Sequence, residues 1–210
     1  GNQWQYMDEG DEPHVEEIIE IVHVRGRSVH VKSYVGGIDD GLYNFWLAGP
    51  DGSVLLAGYY KPAYPFGLVY EPPVQIFPGL PALGVAWTTH TVAYSVPDDV
   101  FYAAFDINWS VQEDRIVQVP AGSFPCFGVG QVAPGPSWTV SPDRTLGLDG
   151  RVVTPASGLL DTGPSSATEW YADGVGLVQF HTVLLNTLQS SNLTTPTATT
   201  TWGRIKRLYR

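Results

Sequence analysis

The stretch at residues 101–112 constrains the chain most. Phe101, Ala103, Phe105, Ile107, Trp109 and Val111 share one parity; Tyr102, Ala104, Asp106, Asn108, Ser110 and Gln112 share the other. Successive side chains of a strand point to opposite faces. Period two sustained over this length therefore predicts a half-buried antiparallel strand, apolar towards a core and polar towards water. Such a strand needs neighbours. The composition supplies them: 23 Gly and 17 Pro in 210 residues favour many turns, and apolar residues at 43% suffice for a core. The expectation is an all-β chain with few short helices, one domain over residues 1–210.

The rest of the chain is read against that strand. Residues 3–7 alternate Trp4 and Tyr6 with glutamines, a short strand pattern. An acidic loop follows. Residues 16–34 read as a hairpin turning at Arg25-Gly26-Arg27. The glutamates suit a helix over 16–22, but the β-branched run Ile18, Ile19, Ile21, Val22, Val24 favours strand. Residues 42–47 and 53–60 flank a turn at Asp51-Gly52, a pair that tolerates positive φ. Residues 59–81 carry prolines at 62, 65, 72, 73, 78 and 81, a density expected to exclude a central strand except for a short piece at 67–71. Strands are expected at 85–96, then at 115–119 and 124–132 around Pro120-Ala121-Gly122-Ser123. Residues 133–167 form a Gly/Pro/Ser-rich excursion with one short strand near 138–140. Residues 169–180 make a hairpin on Asp173-Gly174 and strands continue through Leu185. A Ser/Thr-rich connection over 189–201 leads to a last strand at 202–209.

Charge narrows the partners. A formal charge of −10 repels nucleic-acid phosphates and anionic membrane surfaces. No run approaches the roughly 18 apolar residues that span a bilayer as a helix. The single cysteine, Cys126, excludes an intramolecular disulfide and a zinc-type cysteine pair; placed between Phe124 and Phe127, it is expected to be buried. No GxSxG elbow, HExxH helix or phosphate-binding glycine loop occurs, so no catalytic residue, metal or cofactor is expected.

Several groups are candidates for sites. His23 and His30 fall on the two strands of one hairpin, but a metal needs a third ligand. Glu16, Glu17 and Glu20 offer carboxylates, yet neighbours on a strand point to opposite faces, which disfavours a glycosidase pair. Ser123 and Ser137 lack an identifiable His–Asp partner. Trp87, Phe105 and Trp109 read as core. The aromatics of the proline-rich segment differ, because a regular sheet was not expected to bury them. Tyr60, Tyr64, Phe66 and Tyr70, with Tyr59, either cap the core or line a ligand mouth, since pockets favour aromatic walls. As the candidate ligand-binding set they are expected on a loop over 59–70, closing one end of the sheet.

Three segments occur in a familiar order. PGLPALGVAWTTH at 78–90 resembles a Pro-Leu-x-x-Gly-x-x-Trp approach to a strand. VPAGSFPCFGV at 119–129 resembles a Val-Pro-Ala-Gly-Thr-Phe hairpin. EWYADGVGLV at 169–178 resembles a Trp-Tyr-Ala-x-Gly-Val-Gly-Leu-Val segment. Together they resemble exported bacterial domains of unknown function related to the LolA/LolB lipoprotein-carrier fold. That resemblance implies a LolA-like half-barrel in a protein exported to the periplasm, held at the cell surface or lipid-anchored. The excursion at 133–167 is longer than a minimal member would carry.

The reading that follows is a non-enzymatic cell-envelope protein whose concave sheet face holds an apolar small molecule, lipid or protein segment. Its alternatives are a carbohydrate-binding module with aromatic stacking platforms and, ranked last, a hydrolase. Deep aromatic burial marks the first, a flat exposed aromatic strip the second, a convergent carboxylate or histidine cluster the third.

Overall fold

The computed structural model describes residues 2–7, 12–37, 39–63, 66–131, 137–140, 168–181 and 185–192. Every regular element among them is a strand: β1 (Gln3–Met7), β2 (Pro13–Val24), β3 (Arg27–Val35), β4 (Tyr43–Ala48), β5 (Val54–Lys61), β6 (Phe66–Phe77), β7 (Ala86–Val96), β8 (Phe101–Val119), β9 (Gly122–Gln131), β10 (Ser137–Val140), β11 (Glu169–Ala172), β12 (Gly176–His181) and β13 (Leu185–Asn192). All belong to one antiparallel sheet in the order β10-β8-β7-β6-β5-β4-β3-β2-β1-β13-β12-β11-β9. The expected all-β, curved antiparallel architecture is present.

The strand read first organises the sheet. Ala103, Ile107, Trp109 and Val111 are buried, while Asp106, Asn108 and Gln112 are not. β8 then continues to Val119, absorbing the separate strand expected at 115–119. Its first part pairs with β7; on the other edge it pairs with β9 and, further back, with β10. Both ends of the series of ladders thus lie on β8. The wall still has a gap: past Ile18, the outer edge of β2 pairs with no described strand. Register shifts interrupt the β2–β3, β4–β5, β5–β6, β7–β8 and β8–β9 ladders, among others. Each such shift bends and twists the strands locally, which is how a sheet this wide curls.

Two expectations are corrected. β6 is a central strand running through Pro72 and Pro73. The ladder accommodates them by skipping: Gly58 pairs with Val69 and Leu56 with Val74, and pairing to β7 stops at Glu71. The prolines therefore sit where no backbone donor is required. Likewise 189–192 is not connection but the end of β13, paired with 3–5 of β1. The expected strand at 202–209 and most of the excursion at 133–167 lie outside the described residues.

The β2–β3 turn has Arg25 at φ 46° and Gly26 at φ 75°, the left-handed pair that matches strand twist in a two-residue turn. Glycine tolerates this freely; Arg25 is held by Asp99 and by the Tyr94 ring, 3.7 Å from its guanidinium carbon. Arg27 grips Glu71 with two bonds of 2.7 and 2.5 Å. The hairpin tip is thereby fastened to β6, β7 and the β7–β8 turn.

One sheet face turns inward. Phe77 on β6 and Tyr171 on β11, far apart in strand order, meet at 4.8 Å between ring centroids. The main core on this face includes Leu56, Leu68, Tyr70, Val74, Phe77, Ala93, Ile107, Trp109 and Val129. Burying a large apolar side chain contributes about 1.5–3 kcal/mol. Smaller clusters form around Trp4, Tyr6 and Phe180, and around Val117, Cys126, Trp170 and Val178. Cys126 is buried as expected, and that burial pushes its thiol up to about 11.

Candidate functional site

Directly paired residues of neighbouring strands share a face. The row Lys32–Asn44–Tyr59–Leu68 crosses β3, β4, β5 and β6 in direct register. Leu68 belongs to the main core, so the whole row faces inward. It joins an aromatic region at one end to a charged region at the other.

The aromatic region contains part of the expected ligand set. Phe66 and Tyr70 share the parity of Leu68 on β6 and face inward. Phe66 packs edgewise on Tyr59 (6.5 Å) and on Tyr102 (5.7 Å), and all three border the core without being fully buried. Gly67 permits this closeness: a Cβ there would lie 2.2 Å from the Tyr59 carbonyl oxygen. Tyr70 is 2% exposed and belongs to the core itself. Burial raises the hydroxyls of Tyr59, Tyr70 and Tyr102, keeping them protonated. Tyr60 pairs with Tyr43 and Gly67, on the face opposite Tyr59. Tyr64 lies outside the described residues. The expected loop over 59–70 is corrected: most of it is the β5–β6 hairpin, because the β5–β6 ladder resumes at Lys61–Phe66.

The charged region was largely missed by sequence reasoning. Lys32 donates to Glu16 at 2.8 Å, with their side chains 9% and 3% exposed. The ammonium also lies 4.8 Å from the Tyr34 ring and 5.1 Å from that of Trp46. Asn44 Nδ2 donates to the Tyr34 hydroxyl at 2.8 Å. Two polar atoms here are buried without a hydrogen-bond partner, Asn44 Oδ1 and Trp46 Nε1; among the described residues Trp109 Nε1, in the main core, is in the same condition. From across the interior, Glu169 on β11 feels both Lys32 and Glu16, and accepts a 2.5 Å bond from Tyr171. Desolvation raises its carboxyl above the usual range, against the favourable pull of Tyr171 and Lys32. Asp39 is raised for the same first reason, with Lys61, Glu16, His14 and Lys32 acting on it.

Of the other groups weighed from sequence, His30 stands directly opposite Trp46 and so shares this face, and His14 lies two residues from Glu16 on the same side of β2; the rest do not join the region. Glu17 is half-buried and Glu20 exposed. His23 contacts Ser28, and His30 sits between Ile21 on one side and Trp46 on the other. His14 is buried and stacks on Tyr6 at 5.1 Å, while His90 and Asp106 form an exposed pair at 2.6 Å. Ser123 donates to Gln118. Among the described residues no three His, Cys, Asp or Glu side chains converge on a metal position, and no helix is long and apolar enough to cross a membrane.

No family model matches the chain, and no curated protein matches it. Among solved structures it is similar to a protein of Parabacteroides distasonis provisionally described as a lipoprotein, at 11% identity and a TM-score of 0.32, over 91% of this chain and 95% of that one. A likeness at that level identifies neither a family nor an activity.

Proposed function

We propose that this protein is a non-catalytic, exported cell-envelope protein whose inward sheet face holds a small, largely apolar ligand. Export, and kinship with the LolA-like half-barrels, are part of the proposal and rest on the three sequence segments at 78–90, 119–129 and 169–178. The ligand reading rests on one observation: Tyr59, Phe66 and Tyr102 cluster at the margin of the inward core yet remain partly accessible. Rings that only completed the core would be expected to disappear into it, as Tyr70 does. Every Trp, Tyr and Phe whose side chain is described is buried or half-buried. That arrangement favours an enclosed apolar ligand over a flat sugar-stacking platform.

The test is titration with an apolar fluorescent probe, with native mass spectrometry for a co-purifying ligand. Phe66→Ala and Tyr102→Ala should remain folded and lose most of the probe signal. Unchanged binding in folded variants would remove the aromatic margin as the site.

A further inference from the structure

We infer that the Asn44–Trp46 end of the inward face is a head-group site for an uncharged group that both donates and accepts hydrogen bonds, a carboxamide or a hydroxyl. The inference rests on the ligand reading above and specifies which amphipathic ligand that face takes.

Hydrogen-bond accounting carries the argument. Buried polar atoms are almost always paired, because an unpaired one has lost its water and gained nothing in return. Here a donor, Trp46 Nε1, and an amide atom of Asn44 stand unpaired two residues apart on one strand and one face. Asn44 itself is 3% exposed. Turning its amide over would let Oδ1 accept from Tyr34 and leave Nδ2 unpaired instead, so the missing partner must serve either as donor or as acceptor. An amide or a hydroxyl does both. Asn44 is also directly opposite Tyr59. A head group at Asn44 and Trp46 thus places its apolar tail against Tyr59, Phe66 and Tyr102.

The surrounding charges exclude ionic heads. Lys32 is already matched by Glu16; Glu169 and Asp39 add carboxyls that feel the pair, and Lys61 and His14 also act on Asp39. A carboxylate or phosphate would be desolvated beside the Glu16, Glu169 and Asp39 carboxyls while the ammonium of Lys32 is already engaged. An ammonium has no lone pair to accept from Trp46 Nε1, and it would sit beside Lys32 over that ring. A neutral head avoids both penalties while satisfying the unpaired atoms.

The experiment displaces the apolar probe with four ligands of one chain length, octanamide, octanol, octanoate and octylamine, at pH 7. The amide and alcohol should bind at least about tenfold tighter than either ion, the discrimination expected when one buried polar partner is satisfied. Trp46→Phe keeps a ring and removes Nε1. It should keep or raise the unfolding midpoint while cutting that preference to about threefold or less. Ions binding as tightly as the neutral ligands, or a preference untouched by Trp46→Phe, would overturn the head-group site and leave the apolar-ligand reading standing. If neither the probe nor any of the four binds, the reading beneath it falls as well.

Discussion

The two ends of the inward face obey different accounts of burial. At the aromatic end, Tyr70, Leu68, Ala93 and Phe77 are enclosed by other apolar groups, and the area they remove from water is its own explanation. At the charged end, Glu16 and Lys32 are enclosed nearly as completely, yet each loses hydration that their mutual attraction only partly returns. An apolar pair of similar volume would serve stability as well or better. Stability therefore accounts for the first region and not for the second, which makes the second the more informative about function.

That contrast can be broken by substitution. Phe77→Ala should cost about 3–5 kcal/mol, with no companion change that restores it, because the loss is cavity and contact. Lys32→Met should cost about as much, 3–5 kcal/mol, because it strands the Glu16 carboxylate in the interior. Here repair is expected: adding Glu16→Gln should return most of the loss. Urea unfolding of the two single variants and the double variant checks both. A double variant no more stable than Lys32→Met would mean that the pair acts by packing, and the two ends would cease to differ.

The apolar core behind the aromatic end was legible in the sequence and the charged end was not, for a reason that one hairpin makes concrete. Strict alternation located β8 and the inward Ala103, Ile107, Trp109 and Val111, but set Tyr102 on the outward face; the register shift at Tyr102 turns it inward instead. The β2–β3 turn sets Val24 opposite Arg27 and Val22 opposite Val29. Carried on unchanged, that register puts Glu17 opposite Tyr34 and leaves Glu16 on the other face. A shift between Ile18 and Glu20 instead places Glu16 opposite Tyr34, one diagonal step from Lys32. A one-residue slip exchanges faces, and no residue type announces it. Glu169 could be found only through the long-range pairing of β11 with β9. The prolines of β6 misled for the opposite reason. They do exclude ladder hydrogen bonds, but the β5–β6 ladder skips 70–73 and resumes, and the β6–β7 ladder ends at Glu71.

A smaller effect compares a surface ion pair with the buried one. Arg27 and Glu71 are bonded through two nitrogens, but both side chains stay more than a third exposed. Arg27→Met should therefore cost no more than about 1 kcal/mol, and raised salt should weaken the wild-type pair. A loss approaching that of Lys32→Met would show that fastening the hairpin tip to β6, rather than burial of charge, dominates in β2 and β3.

The smallest effect sharpens the comparison most, because it asks whether the charged end resists ionisation. Desolvation raises the Glu169 carboxyl above its unfolded value, outweighing Tyr171 and Lys32. The folded protein then holds that proton more tightly than the unfolded chain does. The associated stability is fully present below the unfolded pKa and is lost as pH rises through the raised folded value. Glu169→Gln can still accept the Tyr171 hydroxyl but cannot ionise. Near pH 4 the variant should match the wild type, and by pH 7 it should be the more stable of the two. Other titrating groups are common to both proteins and cancel in the difference. Urea midpoints at the two pH values read it directly. A variant that weakens relative to wild type between pH 4 and pH 7 would reverse the sign. Lys32 and Tyr171 would then be stabilising the Glu169 carboxylate, and the interior would welcome charge there, undercutting the case for a neutral head group beside it.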